Sequence, residues 1–562
     1  MGIPLYFKQL SEKYPNIIVD TINNSVNGDS KENENNLFLD LNCAIHPCCR
    51  KVLEEHSHSN NNKSVVEKKM INEVLHYIKS LVELSEAKLL YIAIDGVAPC
   101  AKMNQQRLRR YKTVYEKNKT NEIKKQEKIE LNQFDWNTNA ISPGTEFMDK
   151  LSIAIKTELK SNIIYKNIKV YFSDAYNPGE GEHKILEFIK TNQLNGNTII
   201  YGLDADLIVL SFVSQKNNIF LLREALSFGK PLYNKFLYLD IDNLKYYIVK
   251  DIQEKILVND PTLVFNIEKL NNLLDDYIFI TFLVGNDFLP HLLAFDLRDN
   301  GLEFLLTKYI ELYCIYENNL VNRKKNNINW NYLKVYFNEL KNYESDLLLK
   351  MSKKRQKFRL RRPYDSEYAK KLDLLNNYPI LNQEQEKYID IGTKNWKYRF
   401  YNKALNVYDE DDLHECCLNY ITGLKWTFDY YFRGCKCWKW KYNYRHAPTL
   451  NDILDVMSKI KINDIKFKES KPYNPVVQLL SVLPSSSSDL LPYQYRKLML
   501  SSSNIGDYYP EIYEIDTYYK RYFWQCEPIL PLIDYSRIET QVRKIKMDEQ
   551  LKKKLVGSLF LA

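Results

Sequence analysis

Seven acidic residues stand in short contexts that suit them to holding a cation. They are Asp40 in Leu39-Asp40-Leu41-Asn42, Asp95 in Ile94-Asp95-Gly96, Glu180 and Glu182 in Gly179-Glu180-Gly181-Glu182-His183, Asp204 and Asp206 in Leu203-Asp204-Ala205-Asp206, and Asp287 in Gly285-Asn286-Asp287-Phe288. An i,i+2 pair in an extended segment aims both side chains to one side. Carboxylates gathered without counter-charge repel one another, so a divalent cation is their natural complement. Hard oxygen ligands with room for water favour Mg²⁺, with Mn²⁺ the alternative. Two such ions about 4 Å apart can activate a water and stabilise the leaving oxygen of a phosphodiester. A single Asp at a strand end is more often a helix cap or turn residue; the joint occurrence of seven is harder to dismiss.

Just after Asp95 comes Lys102-Met103-Asn104-Gln105-Gln106-Arg107-Leu108-Arg109-Arg110. At about 100° per residue, Lys102, Gln106, Arg109 and Arg110 share a sector of about 100° on a helix. Beside a metal site such a face can hold a terminal phosphate through bidentate arginine contacts and a lysine point charge. Taken alone, it reads as an ordinary solvated helix.

The elements that must position these groups follow from the apolar runs Leu37–Leu41, Leu89–Ile94, Ile168–Phe172, Thr198–Leu203 and Leu207–Phe212, each predicted as a strand. Longer helical patterns lie between them over the first 300 residues, as an α/β sheet requires. Acids at the carboxyl ends of parallel strands converge on one crevice. Thr21–Asn36 and Glu54–Lys63, polar and poor in apolar residues, are predicted surface insertions. Glu116–Asn132 reads as a projecting, solvated helix. Residues 301–390 form a variable helical connector with the basic cluster Lys353, Lys354, Arg355, Lys357, Arg359, Arg361 and Arg362, most simply a solvated face. Residues 391–545, carrying Trp396, Trp426, Trp438, Trp440 and Trp524, form a second, aromatic block packed on residues 1–300, and 546–562 a tail.

Composition sets the outer bounds. A chain of 562 residues with 45% hydrophobic and 27% charged content is folded and holds several domains, which excludes a binding peptide or disulfide-stapled mini-protein. The ten cysteines include no C-x-x-C pair, so a reduced intracellular compartment is expected. No run reaches the ~18 apolar residues that cross a bilayer, so no membrane association is expected. Gly2 lacks the Ser or Thr at position 6 that myristoylation wants, Tyr6 standing there. The net charge of +8 suits a polyanionic partner or merely a soluble surface.

The ordered blocks Met1-Gly2-Ile3-Pro4, Leu39-Asp40-Leu41-Asn42 with His46, Ile94-Asp95-Gly96-Val97-Ala98-Pro99, Ala101-Lys102-Met103-Asn104-Gln105-Gln106-Arg107, Ser142-Pro143-Gly144-Thr145-Glu146-Phe147-Met148, Pro178-Gly179-Glu180-Gly181-Glu182-His183-Lys184, Tyr201-Gly202-Leu203-Asp204-Ala205-Asp206 and Gly285-Asn286-Asp287-Phe288-Leu289-Pro290-His291 resemble those of the XRN 5′→3′ exoribonucleases. Gly423-Leu424-Lys425-Trp426, Tyr430-Tyr431-Phe432-Arg433-Gly434, Trp438-Lys439-Trp440, Ala447-Pro448 and Val482-Leu483-Pro484 resemble the family's second conserved region. Departures are Cys100, where a basic residue is usual, Cys43-Ala44 before Ile45-His46, and Cys435-Lys436-Cys437 before Trp438.

The resemblance implies an α/β fold: a Rossmann-like (PIN/FEN-like) mixed sheet flanked by helices, with a mostly helical, aromatic-rich region against it. It implies that the seven acids bind two Mg²⁺ (or Mn²⁺) ions and are the catalytic groups, that Lys102, Gln106, Arg109 and Arg110 hold an RNA 5′-monophosphate, and that His46 stacks on the first base with Trp438 or Trp440 as its partner. The activity implied is processive hydrolysis of 5′-monophosphorylated single-stranded RNA to nucleoside 5′-monophosphates, in RNA decay, by a monomer. Phe220-Leu221-Leu222-Arg223-Glu224 runs to Phe228-Gly229-Lys230 without a Cys/His knuckle, which resembles the cytoplasmic branch, and the chain resembles a minimal catalytic core. The alternatives are a flap-endonuclease-like nuclease on branched DNA and an inert RNA-binding scaffold.

Overall fold

The computed structural model describes residues 6–22, 34–56, 62–131, 136–227, 230–360, 363–546 and 559–561. Met1-Gly2-Ile3-Pro4, Arg361, Arg362, Phe228, Gly229, most of the polar stretch Thr21–Asn36 and half of Glu54–Lys63 lie outside them. The chain enters through helix α1 (Tyr6–Lys13) and the short strand β1 (Ile18–Val19). Then come β2 (Asn35–Asp40), α2 (Asn42–Glu55), α3 (Lys63–Ser85), β3 (Leu89–Ala93), α4 (Cys100–Gln126), α5 (Glu146–Ser161), β4 (Lys169–Ser173), α6 (Gly181–Thr191), β5 (Asn197–Tyr201), α7 (Asp206–Val213) and the pair β6 (Ile219–Ser227) and β7 (Lys230–Asp240). They form an eight-stranded sheet in the order β1-β7-β6-β5-β2-β3-β4, closed by the short strand Phe560–Leu561.

β6, β5, β2, β3 and β4 run parallel; β1, β7 and Phe560–Leu561 pair antiparallel at the edges. The chain steps from β2 outward to β3 and β4, then returns to β5 on the other side of β2, so the strand order reverses between β5 and β2. That is where an open α/β sheet leaves a crevice at its carboxyl ends. Leu37 and Leu39 of β2 face one core while Phe38 faces the other, all three fully buried. Burial on both faces explains why the parallel strands read as unbroken apolar runs.

Leu207–Phe212 is not a strand but the body of α7. All eight residues of α7 are buried, so no polar face imposes a helical period, and an apolar run this short is ambiguous by pattern alone. Glu116–Gln126 is helical and carries no buried residue, as the outer end of α4, which runs unbroken for 27 residues from Cys100 and stops short of the predicted bound. The ribbon β6–β7 went unpredicted.

The core on the Phe38 side continues through Phe279, Tyr309, Tyr336, Tyr420 and Leu424, so the helices Ile267–Leu283, Gly301–Tyr316, Trp330–Gln356 and Glu410–Arg433 are built onto that face. A third cluster joins Val97, Ala98, Cys100 and Met103 to Val476, Leu479, Leu483 and Ile538, fixing the start of α4 between the sheet and the later chain. Among the described residues no helix is long and apolar enough to cross a membrane.

One buried polar contact pins the aromatic block. His446 Nε2 lies 2.7 Å from Asp516 Oδ2, and Arg445 Nε lies 3.8 Å from the same oxygen. Burial alone would raise the Asp516 pKa, but His446, Lys520 and Arg445 outweigh it and hold the carboxyl well below its usual range. A depressed carboxyl contributes stability above its unfolded value of about 3.9 and loses it as pH falls through the folded value. Asp516→Asn should therefore cost roughly 3 kcal/mol near neutral pH, and much less in strong acid. Urea unfolding across a pH series checks this; equal stability of the two proteins at pH 7 would count against it.

Candidate active site

Each acid is placed by an element end. Asp40 ends β2, Asp95 follows β3, Asp204 lies beyond β5, and Asp206 opens α7. Glu180 is the N-cap residue of α6 and Glu182 lies in its first turn. Asp287 comes from the loop after the helix Ile267–Leu283. The i,i+2 pairs thus sit at helix starts, not in extended segments. The helix N-terminus replaces strand alternation as the reason they gather, since its unpaired N–H groups and partial positive charge favour carboxylates.

The bonding is specific. Gly181 N–H donates to Asp95 Oδ1 at 2.7 Å, and Asn42 Nδ2 donates to Asp95 Oδ2 at 2.8 Å. Tyr430 donates its hydroxyl to Glu180 Oε1 at 2.5 Å. Cys43 Sγ donates to Asp40 Oδ2 at 3.3 Å, and ligand atoms of Asp40, Cys43 and Asp204 lie within 4.8 Å of one another. Burial, then Asp95 and Asp204, push the Asp40 carboxyl well up; burial, then Asp206, do the same to Glu182; burial, then Asp287, raise Asp206.

These donors fit a hard divalent cation. Asp40 Oδ1 and Asp206 Oδ1 are buried with no hydrogen-bond partner, although each belongs to a carboxylate crowded by others. Buried oxygens of that kind are costly unless a cation completes them. Gly181 sits against this point: a Cβ there would stand 2.6 Å from Asp40 Oδ1. Gly181→Ala should displace the carboxylate, lower turnover at least about tenfold and weaken metal-induced thermal stabilisation, with the helical circular dichroism unchanged. Normal metal response in that variant would argue that Asp40 is not a ligand.

The basic face of α4 divides. Lys102 Nζ lies 2.5 Å from Glu180 Oε2 and 2.6 Å from Asp287 Oδ2, inside the acidic group. Burial opposes its charge, but Asp287, Glu180, Glu182 and Asp206 outweigh burial and raise its pKa well above the ordinary value. Gln106 and Arg110 point elsewhere. Arg110, 8% exposed, donates to Ser142 Oγ at 2.7 Å and to Gln106 Oε1 at 3.5 Å. Burial, then Arg109, push its pKa down to about 9. His46 is half-buried nearby, its pKa lowered to about 4 by burial, then by Arg109 and Arg110.

The tryptophans differ. Trp440 stacks on Trp426 at 5.0 Å and packs over Gly423, so its ring is spent in the core. Trp438 is half-buried, its C=O accepting from Cys100 N–H at 2.8 Å. No ring pair joins His46 to either indole among the described residues. Three contributors were not singled out from the sequence. Asn42 clamps Asp95, Tyr430 holds Glu180, and Lys184 Nζ donates to Ile94 C=O at 2.6 Å beneath the crevice. All three stand inside the ordered blocks above, but nothing local set Tyr430 apart from its aromatic neighbours in Tyr430-Tyr431-Phe432-Arg433-Gly434.

The family described as XRN 5′-3′ exonuclease N-terminus matches residues 1–225, and that described as Xrn1 helical domain matches 265–386 and 376–555. The 5′-3′ exoribonuclease 1 of Schizosaccharomyces pombe is 31% identical over 96% of this chain and 48% of its own length. The 5′-3′ exoribonuclease 1 of Homo sapiens is 30% identical over 98% of this chain and 35% of its own. The 5′-3′ exoribonuclease 2 of Arabidopsis thaliana is 30% identical over 98% and 68% respectively. The chain thus spans half or less of the first two relatives.

Proposed function

This chain belongs to the XRN 5′-3′ exonuclease family, and on that premise we propose that it is a processive 5′→3′ exoribonuclease that hydrolyses 5′-monophosphorylated single-stranded RNA and releases nucleoside 5′-monophosphates. The observation that carries this reading is the placement of Arg110, a buried guanidinium bonded to neutral partners, next to a crevice of seven acids. A buried cation of this kind is the complement of a phosphate. In the proposal Gln106, Arg109 and Arg110 grip the 5′-phosphate and so set which linkage reaches the acids. Asp40, Asp95, Glu180, Glu182, Asp204, Asp206 and Asp287 hold two Mg²⁺ ions. Those ions, when bound, supply Lewis acidity and a nucleophilic water for in-line displacement. Lys102 offsets the charge of Glu180 and Asp287, Tyr430 and Asn42 fix carboxylate orientation, and His46 with Trp438 is left to stack on the first base.

Residues 1–300 supply the acids and the phosphate grip, and 391–545 supply Tyr430 and the aromatic wall. All of these groups come from one chain, which supports a monomer. A cytoplasmic setting is supported by the lack of a Cys/His knuckle after Glu224. A pocket shaped for one phosphate excludes a triphosphate by bulk and charge. A time course on 3′-labelled RNA should show 5′-monophosphate RNA consumed from its 5′ end with Mg²⁺, no cleavage in EDTA, and triphosphate RNA spared by at least about tenfold. Equal rates on the two 5′ ends would overturn the phosphate assignment, and undiminished cleavage in EDTA the metal one.

A further inference from the structure

A cavity of about 640 Å³ opens beside the acids, its wall running from Asp204 and Asp287 to Arg298 and Trp524. Gln105, Arg109 and Lys112 of α4 line it, spaced three and four apart and so on one helical face. That face adjoins the one carrying Gln106 and Arg110, with Arg109 on the border of both. A strand whose 5′-phosphate is held by Arg110 must lead its 3′ portion away from the acids, and this cavity begins at them.

Its far end is built differently from ordinary surface. Trp524 is 48% exposed and lies nearly parallel to Tyr522, ring centroids 6.2 Å apart at 13°. The Arg298 guanidinium stands 5.5 Å from the Trp524 ring and 5.6 Å from that of Tyr522. Lys112 Nζ donates to the Trp524 carbonyl, tying the indole's backbone to α4. A rigid, half-exposed indole with cations beside it is the chemistry that binds single-stranded nucleic acid, because every base offers a π-face and every linkage a charge.

We propose that Trp524, with Tyr522 and Arg298, is a second nucleotide subsite, which stacks a base of the RNA strand 3′ of the cleaved linkage as it leaves the cavity. The assignment rests on the exoribonuclease reading. A released nucleoside 5′-monophosphate offers the same chemistry, but only a polymer spans from the buried acids to this solvent-facing ring.

Fluorescence anisotropy of the whole protein in EDTA, with 5′-monophosphorylated oligouridylates, tests it. Trp524→Ala should weaken an oligomer of about twelve nucleotides roughly tenfold, the loss of one stacked base. It should leave a dinucleotide's affinity unchanged, and Trp524→Phe should restore most of the loss. Equal affinity of wild type and Trp524→Ala for the long oligomer overturns the subsite, as does an equal loss for both lengths, which marks damage to the fold. Weaker inhibition by uridine 5′-monophosphate with long-oligomer affinity intact overturns the strand as occupant and assigns the product. If the wild-type protein binds neither oligomer, the exoribonuclease reading itself falls.

Discussion

Asp206→Asn should bind 5′-monophosphorylated RNA as the wild type does and cleave it roughly a thousandfold more slowly, a loss of about 4 kcal/mol in transition-state stabilisation. The side chain is 3% exposed and opens α7, with Oδ1 buried and without a hydrogen-bond partner. Asparagine keeps its volume, so the packing of α7 is undisturbed; what disappears is one negative charge and one anionic ligand. Arg109, Arg110 and Gln106 are untouched, hence the retained binding. Asp206 also repels Asp204, Glu182 and Asp287, so the metal-free variant should melt no lower than the wild type, and higher if that repulsion dominates. Added Mg²⁺ should raise the melting temperature of the wild type by mass action and that of the variant much less. Three measurements thus read one carboxylate: single-turnover cleavage, anisotropy and metal-dependent melting. Undiminished cleavage would remove Asp206 from the site, and lost RNA binding would mean that the substitution acts through the fold.

How much of this was legible in the sequence depended on whether the causes were local. The acids were legible because an apolar strand followed by a carboxylate is a pattern of adjacent residues, and the order β5-β2-β3 then brings those strand ends side by side. The reason given for the i,i+2 pairs was nonetheless mistaken, since strand alternation and a helix N-terminus both align residues two apart and the peptide spacing cannot separate them. α7 failed for a related reason: a helix buried all round carries no amphipathic signature. Tyr430 was out of reach because its partner Glu180 lies 250 residues away, and Trp426, Tyr431 and Phe432 nearby look the same on paper. Trp438 and Trp440 were equivalent in the sequence, and only tertiary packing on Trp426 sets Trp440 apart. Lys102 shares a helical sector with Arg110, but the carboxylates of Glu180 and Asp287, 2.5 and 2.6 Å from its Nζ and distant in sequence, decide where its charge is used.

Arg110→Met should abolish the preference for a 5′-monophosphate while leaving the protein as stable as before or more so. A guanidinium that is buried and, among the described residues, hydrogen-bonded only to the hydroxyl of Ser142 and the amide of Gln106 bears a desolvation cost that the charge of Asp95 offsets only in part. Its lowered pKa, caused by burial and then by Arg109, expresses the same imbalance. Methionine has a similar reach and no charge, and replacing a buried ion with an apolar side chain of similar volume is neutral or stabilising in most settings. Phosphate binding should pay in the opposite direction. Losing a desolvated, charge-assisted contact costs about 3 kcal/mol, so kcat/KM on 5′-monophosphate RNA should fall about 100-fold, to the level of 5′-hydroxyl RNA, whose rate is unchanged. Inorganic phosphate should stabilise the wild type against heat and not the variant. The two readouts move together only if Arg110 is a ligand. Should the melting temperature instead drop while the monophosphate preference survives, Arg110 is a tie between α4 and Ser142, and the phosphate contact belongs to Arg109 at the border of the two helical faces.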